Sequence, residues 1–306
     1  MFFLKISIGF ILIAGGIFTS LVNGFPVRMY IDPAKLVWII GITTPILLLV
    51  VLKKAANWAD ACLALGVPIG LLGGTVGATG MVHHMTEPAR AYSATAIMLL
   101  TVLYGGMISA IGYFAQHQTK VPAQGSLSYS AFIWATIPLI AMTGLAFDSA
   151  AGIGVFISVG SIYIFVVVYA GVFLLRKSVR SQDLVSAALF AAMLCLVAGL
   201  IQWYQSDGND KSAIAVAMNG LNYGLFIYIF VYLWSLRNPT DRIEAGKANW
   251  HWMEVSAFLV FMLFAPETIR ESLIIQQDEQ AAIIENAELE DRLALLEKRL
   301  ALLEGS

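Results

Sequence analysis

A chain of 306 residues that is 59% hydrophobic and 12% charged is too apolar for a soluble globule, which excludes the soluble enzyme and binding-module classes. Its formal net charge of −2 supplies no basic surface, so nucleic acid is not an expected partner. Cys62 and Cys195 each sit inside an apolar run without disulfide-framework or metal-site spacing, and they read as small buried residues.

In chain order, apolar runs divided by charged or turn-forming stretches predict eight membrane-spanning helices, over roughly 5–22, 36–52, 61–82, 92–115, 130–147, 151–175, 184–204 and 213–235. Segment one follows Lys5 and lacks a small-x-small cleavage site, so it is expected to be a retained helix rather than a signal peptide. A ninth run, from Trp250 to Ala265, stops at Pro266; its length leaves both a spanning and an interfacial helix open. Lys5, Lys53, Lys54, Lys120, Arg176, Lys177, Arg180, Arg237, Arg242 and Lys247 fall on one side of such a topology. Arg28, Lys35, Arg90 and Lys211 fall on the other. The positive-inside rule then puts the amino terminus in the cytoplasm, and the tail outside if segment nine spans.

Segments three and four form the most patterned stretch. Gly70, Gly73, Gly74, Gly77 and Gly80 recur at helical spacing on segment three, a small-residue groove that admits another backbone at close range. Thr75 and Thr79 lie on the same helix and Thr101 on the next. A threonine in a bilayer can bond back to its own helix, so the hydroxyls alone assign nothing.

The second half repeats landmarks of the first. Asp32-Pro33 before segment two pairs with Asp148-Ser149 before segment six, an offset of 116 residues. Lys53-Lys54 pairs with Arg176-Lys177 at 123, and Tyr104-Gly105 with Tyr223-Gly224 at 119. Offsets this similar predict duplication of a four-helix unit in the same orientation, over residues 1–118 and 119–236. The expected fold is all-α: two parallel four-helix transmembrane repeats, a ninth apolar helix over 237–268 and a helical tail over 269–306.

Gly74-Thr75-Val76-Gly77, the Glu87-Pro88 loop and the Leu100-Thr101-x-Leu-Tyr104-Gly105 ending resemble the third and fourth transmembrane helices of the MotA/TolQ/ExbB family, ring-forming subunits of ion-driven motors and energy transducers. Gly15-Gly16 and Ile31-Asp32-Pro33 resemble its first two helices. The resemblance implies that Thr75 and Thr101 lie beside an ion path, opposite an intramembrane aspartate on a single-helix partner. Two departures stand out. Only Lys53 to Asp60 joins segments two and three, where the family's stator subunits carry a cytoplasmic domain. In the second half Gly220 stands for Thr101 and Ala198-Gly199 for the Gly-Thr pair, leaving Asn219 and Asn222 as the polar residues of segment eight.

Segment nine carries Glu254 near its cytoplasmic end; an anchoring helix with an interfacial glutamate and a proton-carrying acid are both readings of it. Beyond it, Ala282, Asn286, Leu289, Leu293, Leu296, Leu300 and Leu303 alternate spacings of four and three, a heptad seam that predicts a coiled coil and a homo-oligomer, with Asn286 setting register. An amphipathic helix lying on the bilayer is the other reading of the tail.

No catalytic constellation, metal-ligand spacing or cofactor motif stands out, so neither an enzyme nor a cofactor is expected; the adjacent His83 and His84 read as loop residues. Two functions follow. One is a ring-forming subunit of an ion-motive-force-driven motor or transducer in the bacterial inner membrane, with Thr75, Thr101, Asn219, Asn222 and Glu254 as ion-path candidates. The other is a non-conducting membrane assembly that oligomerises or recruits partners through its tail.

Overall fold

The computed structural model describes residues 32–84, 88–116, 125–206 and 211–243, with Leu289 and Arg292 of the tail. Segment one, segment nine with Glu254, and the seam residues Asn286, Leu293, Leu296, Leu300 and Leu303 lie outside the described residues. Leu289, the one described seam position, is helical and exposed.

The described residues form seven long helices and no strand: α1 (Pro33–Leu52), α2 (Trp58–His83), α3 (Pro88–Gln116), α4 (Tyr129–Ala151), α5 (Val159–Leu175), α6 (Ser181–Gln205) and α7 (Lys211–Ser235). These are segments two to eight, and each supplies a stretch long and apolar enough to cross a bilayer, that of α5 counted from the short 3-10 turn at Ile153. The chain is therefore an all-α, polytopic integral membrane protein with lipid around its outer faces.

Local chemistry sets the helix ends. The Asp32 carboxylate accepts from the Ala34 and Lys35 amides at 2.9 and 3.3 Å, and Pro33 opens α1 where its missing N–H costs nothing. At the other end Ala55 N–H bonds Val50 O and Lys54 N–H bonds Val51 O, a Schellman closure that forces Lys54 to φ +49°. Asn57, Ser128 and Ser158 cap α2, α4 and α5 with side-chain oxygens. Asp241 caps α6 from a distance, its carboxylate taking the Ser181 amide and hydroxyl.

Helix α2 is the centre. Almost its whole span is buried, against α3 along its length and against α1, α4 and α7 on its other sides. Glycine makes this possible. A Cβ built on Gly70 would stand 2.8 Å from both Gly105 Cα and the Thr101 carbonyl, and one on Gly77 would stand 2.8 Å from Met98 N. Gly73 faces Thr101 and the Trp38 ring, Gly80 faces Ala150 of α4, and Gly74 is buried. The same arrangement joins α6 to α7, where Gly224 meets Ala192, Gly220 meets Cys195 and Gly199 meets Ala217.

The two hairpins set their close contacts at matching spacings. Ala94, Met98, Thr101 and Gly105 of α3 occupy the positions of Ala213, Ala217, Gly220 and Gly224 of α7, a displacement of 119 throughout. Gly70, Gly73 and Gly77 of α2 correspond to Ala192, Cys195 and Gly199 of α6, a displacement of 122. Two sequence correspondences need correction. Leu196-Val197, not Ala198-Gly199, stands where Gly74-Thr75 stands. Asp148 is not the counterpart of Asp32: it lies in the last turn of α4, where its carbonyl accepts from Gly152 N–H at 3.2 Å. That role belongs to Ser158. Tyr104 hydroxyl accepts the Asp32 amide at 3.2 Å, and Tyr223 hydroxyl accepts the Ser158 amide at 3.0 Å.

Candidate functional site

Polar side chains inside a membrane helix bundle must find partners there, because no water or headgroup reaches them. One such set among the described residues lies where α2 packs along α7. Thr75 donates its hydroxyl to Asn222 Oδ1 at 2.6 Å and also lies 3.0 Å from the Leu72 carbonyl. Asn222 Nδ2 reaches Thr79 Oγ1 at 3.4 Å, and Thr79 donates to the Thr75 carbonyl at 2.9 Å. The three side chains form a closed ring of hydrogen bonds, each at most 2% exposed.

Asn219 sits one turn before Asn222 on α7. Its amide nitrogen donates to the Val155 carbonyl at 2.9 Å, and its Oδ1 is buried without a hydrogen-bond partner. Tyr223 adds a second tie to the same connection, donating to the Phe156 carbonyl at 2.6 Å. The α4–α5 connection is thus held to α7 through backbone carbonyls.

Thr101 does not join this set. Its hydroxyl bonds back to Ile97 and Met98 of its own helix at 2.9 and 3.1 Å, while its methyl side lies against Gly73. The structure therefore brings Thr75 and Asn222 together, holds Asn219 a turn away, and leaves Thr101 on the opposite side of α2. Glu254 lies outside the described residues. No group of three or more potential metal ligands occurs among the described residues.

Sequence reasoning missed two polar devices. Ser109 of α3 is inserted beside Pro68 of α2: its hydroxyl accepts the Val67 amide at 2.8 Å and donates to the Leu63 carbonyl at 3.2 Å. A regular helix would join those two backbone groups directly, and the bare Gly66 leaves the room. Trp38 Nε1 donates to the Met142 carbonyl at 2.8 Å, pinning α1 to α4. A serine on the helix that follows a proline-bearing one is the only signal the first device leaves in sequence, and the second leaves none.

A cleft of about 450 Å³ opens at the carboxyl ends of α2 and α4, lined by Gly77, Ser93, Ile97, Asp148 and Ala150 among others, with His84 Nε2 lying 3.1 Å from Ala150 O. At the opposite end, the Arg237 guanidinium stacks over Trp234 at 4.1 Å and Tyr129 at 5.0 Å. Nearby, Arg242 donates to the Gly125 carbonyl, and burial lowers its guanidinium pKa from the usual value.

Comparison with protein-family models, curated proteins and solved structures finds no match to this chain. Its class therefore rests on the fold: a polytopic membrane bundle whose two tightly packed hairpins, α2–α3 and α6–α7, are joined by a buried polar seam.

Proposed function

We propose that this chain is a non-conducting structural subunit of a membrane assembly, built from two parallel four-helix repeats over 1–118 and 119–236. It keeps the architecture that the MotA/TolQ/ExbB resemblance implies. The constant displacements of 119 and 122 residues between paired helices support the duplication. The tail provides further self-association or partner recruitment through its heptad seam.

One observation carries this reading. Thr75, the hydroxyl expected beside an ion path, spends its hydrogen on Asn222 of the other half of the same chain, in a ring that Thr79 closes. A side chain in that position, 1% exposed between α2 and α7, clasps the two halves and faces no open path. The test is flux. Purified protein in liposomes under an imposed proton or sodium gradient should conduct no better than empty vesicles. A flux abolished by Thr75→Val would overturn the reading.

The second reading is a ring-forming subunit of an ion-motive-force-driven complex in the bacterial inner membrane, amino terminus in the cytoplasm. Asn219 favours it, because an unpaired carbonyl oxygen at 0% exposure beside the seam is an acceptor awaiting a donor or ion. The acid such a path needs would come from Glu254 or from a single-helix partner with an intramembrane aspartate. Co-purification of such a partner, with flux that depends on its aspartate, would decide for this reading.

A further inference from the structure

At the end of the bundle where α1 and α7 finish and α4 begins, a short strap gathers the chain. Gly125 N–H bonds Lys54 O at 2.9 Å and Leu127 N–H bonds Leu236 O at 3.0 Å, so this strap ties the ends of α1 and α7 together. Arg237 follows directly. Its guanidinium carbon lies 4.1 Å from the centroid of the Trp234 ring, 5.0 Å from that of Tyr129 and 6.0 Å from that of Phe132. The rings brace one another, with Phe132 meeting Trp234 and Phe230 edge to face at 5.3 and 5.1 Å.

What this cradle leaves unused points to a ligand. Among the described residues no carboxylate pairs with Arg237, and its Nε is buried without a hydrogen-bond partner. Stacking engages the face of a guanidinium and leaves its N–H edge, whose fork matches the oxygens of a phosphate. The charge around it has the same sign. Arg237, Arg242, Lys53, Lys54 and the three bases of the α5–α6 connection lie at this end, against Asp60, Asp183 and Asp241 among the described residues. Asp183 already pairs with Arg176, and Asp241 is engaged by Ser181. A zwitterionic headgroup would bring a further cation into this excess; an anionic one would offset it.

An apolar track leads away from the cradle along α4. Tyr129, Ile133, Ile137 and Ile140 recur at spacings of four, four and three, each at least 40% exposed. A free phosphate gains nothing from such a track, whereas an acyl chain can lie along it. We infer that Arg237 on its aromatic cradle binds the phosphate of an anionic diacyl phospholipid, with an acyl chain along the α4 track. The site depends on the fold alone and is independent of whether the chain conducts ions.

The experiment is native mass spectrometry of the full-length chain in mild detergent, titrated with phosphatidylglycerol or with phosphatidylcholine carrying the same acyl chains. The first phosphatidylglycerol is expected to bind about tenfold more tightly than the first phosphatidylcholine. Arg237→Gln should bring phosphatidylglycerol down to the phosphatidylcholine level. Lys177→Gln with Arg180→Gln removes more charge from the same end and should keep the preference. Arg237→Lys keeps the charge, loses the fork and should bind phosphatidylglycerol about threefold more weakly; it carries the test by itself if Arg237→Gln is not recovered folded. Equal affinity for the two lipids in the unaltered chain would overturn the inference. So would full retention in Arg237→Lys, or equal losses from Arg237→Gln and the Lys177, Arg180 pair, which would mean a diffuse surface charge. Glycerol phosphate without acyl chains binding as tightly as phosphatidylglycerol would also overturn it, making a free phosphate ester the ligand.

Discussion

The Thr75 hydroxyl lies 2.6 Å from the side-chain carbonyl of Asn222, joining helices that stand 147 residues apart in sequence. That bond couples the α2–α3 hairpin to the α6–α7 hairpin at a depth where neither group has water as an alternative. Its length is at the short end for a hydroxyl donor, and Thr79 completes the ring from one turn away. The polar pair specifies which face of α7 meets α2, a choice that apolar packing alone leaves open.

A double-mutant cycle measures that coupling. Thr75→Val keeps the side-chain shape and removes the donor, and Asn222→Leu removes both partner groups. Interhelical hydrogen bonds in membranes contribute about 0.6 kcal/mol on average and up to about 1.7. The ring geometry puts this pair in the upper part of that range, so the coupling energy is expected near 1–1.5 kcal/mol. Reversible unfolding in mixed micelles reads it. A coupling indistinguishable from zero would mean the ring adds nothing to stability.

Ser109→Ala tests the inserted hydroxyl. The substitution leaves the Val67 amide and Leu63 carbonyl to re-form a direct bond, which Pro68 one residue on hinders because its ring crowds the preceding turn. A cost of about 1–3 kcal/mol is expected, the range for a buried group left unpaired. Replacing Pro68 with alanine in the same chain should recover part of that loss, because the ring no longer crowds the turn and the backbone bond can form. Equal losses with and without Pro68 would show that Ser109 acts through packing alone.

Much of this architecture is legible in the sequence, and the reasons separate cleanly. Long apolar runs identify the helices because a bilayer imposes a minimum length on every span. Asp32-Pro33 announces the start of α1, since a capping oxygen before proline has few other uses. The glycines of α2 mark a close approach but not its partner: periodicity tells which face is unusual and says nothing about what lies opposite. Matching Asp32 to Asp148 failed because a cap requires an oxygen acceptor, not a carboxylate, and Ser158 supplies one. The Thr75–Asn222 pair was hidden because two helices far apart in sequence carry no mutual pattern; each residue was visible, their meeting was not.

Lys54 offers a gain in stability. It is the described non-glycine residue with positive φ, held at +49° by the Schellman closure of α1. Glycine adopts that conformation without the Cβ penalty, although it gives up some unfolded-state entropy. Lys54→Gly is therefore expected to stabilise by about 0.5–1 kcal/mol, and Lys54→Val to destabilise by more. Both exposed substitutions keep the chain's packing intact, so the difference in unfolding midpoint isolates the backbone effect.

The pairing of Gly220 with Cys195, where Thr101 pairs with Gly73 in the other hairpin, has a packing explanation. In the α2–α3 hairpin, Gly73 leaves room for Thr101; in the α6–α7 hairpin, Cys195 fills the space that Gly220 vacates. The large and small partners have changed helices, and the axes approach closely either way. Gly220→Thr alone should therefore be severely disruptive, because even a Cβ at Gly220 collides with Cys195 Cβ. Cys195→Gly alone should cost about 1–3 kcal/mol by opening a cavity and adding a mid-helix glycine. The double substitution recreates the first hairpin's pairing and should recover most of the folded yield lost by Gly220→Thr, measured by monodisperse recovery in detergent. Failure of the double variant to exceed Gly220→Thr would mean that the two hairpins, despite their common register, hold their helices at different separations.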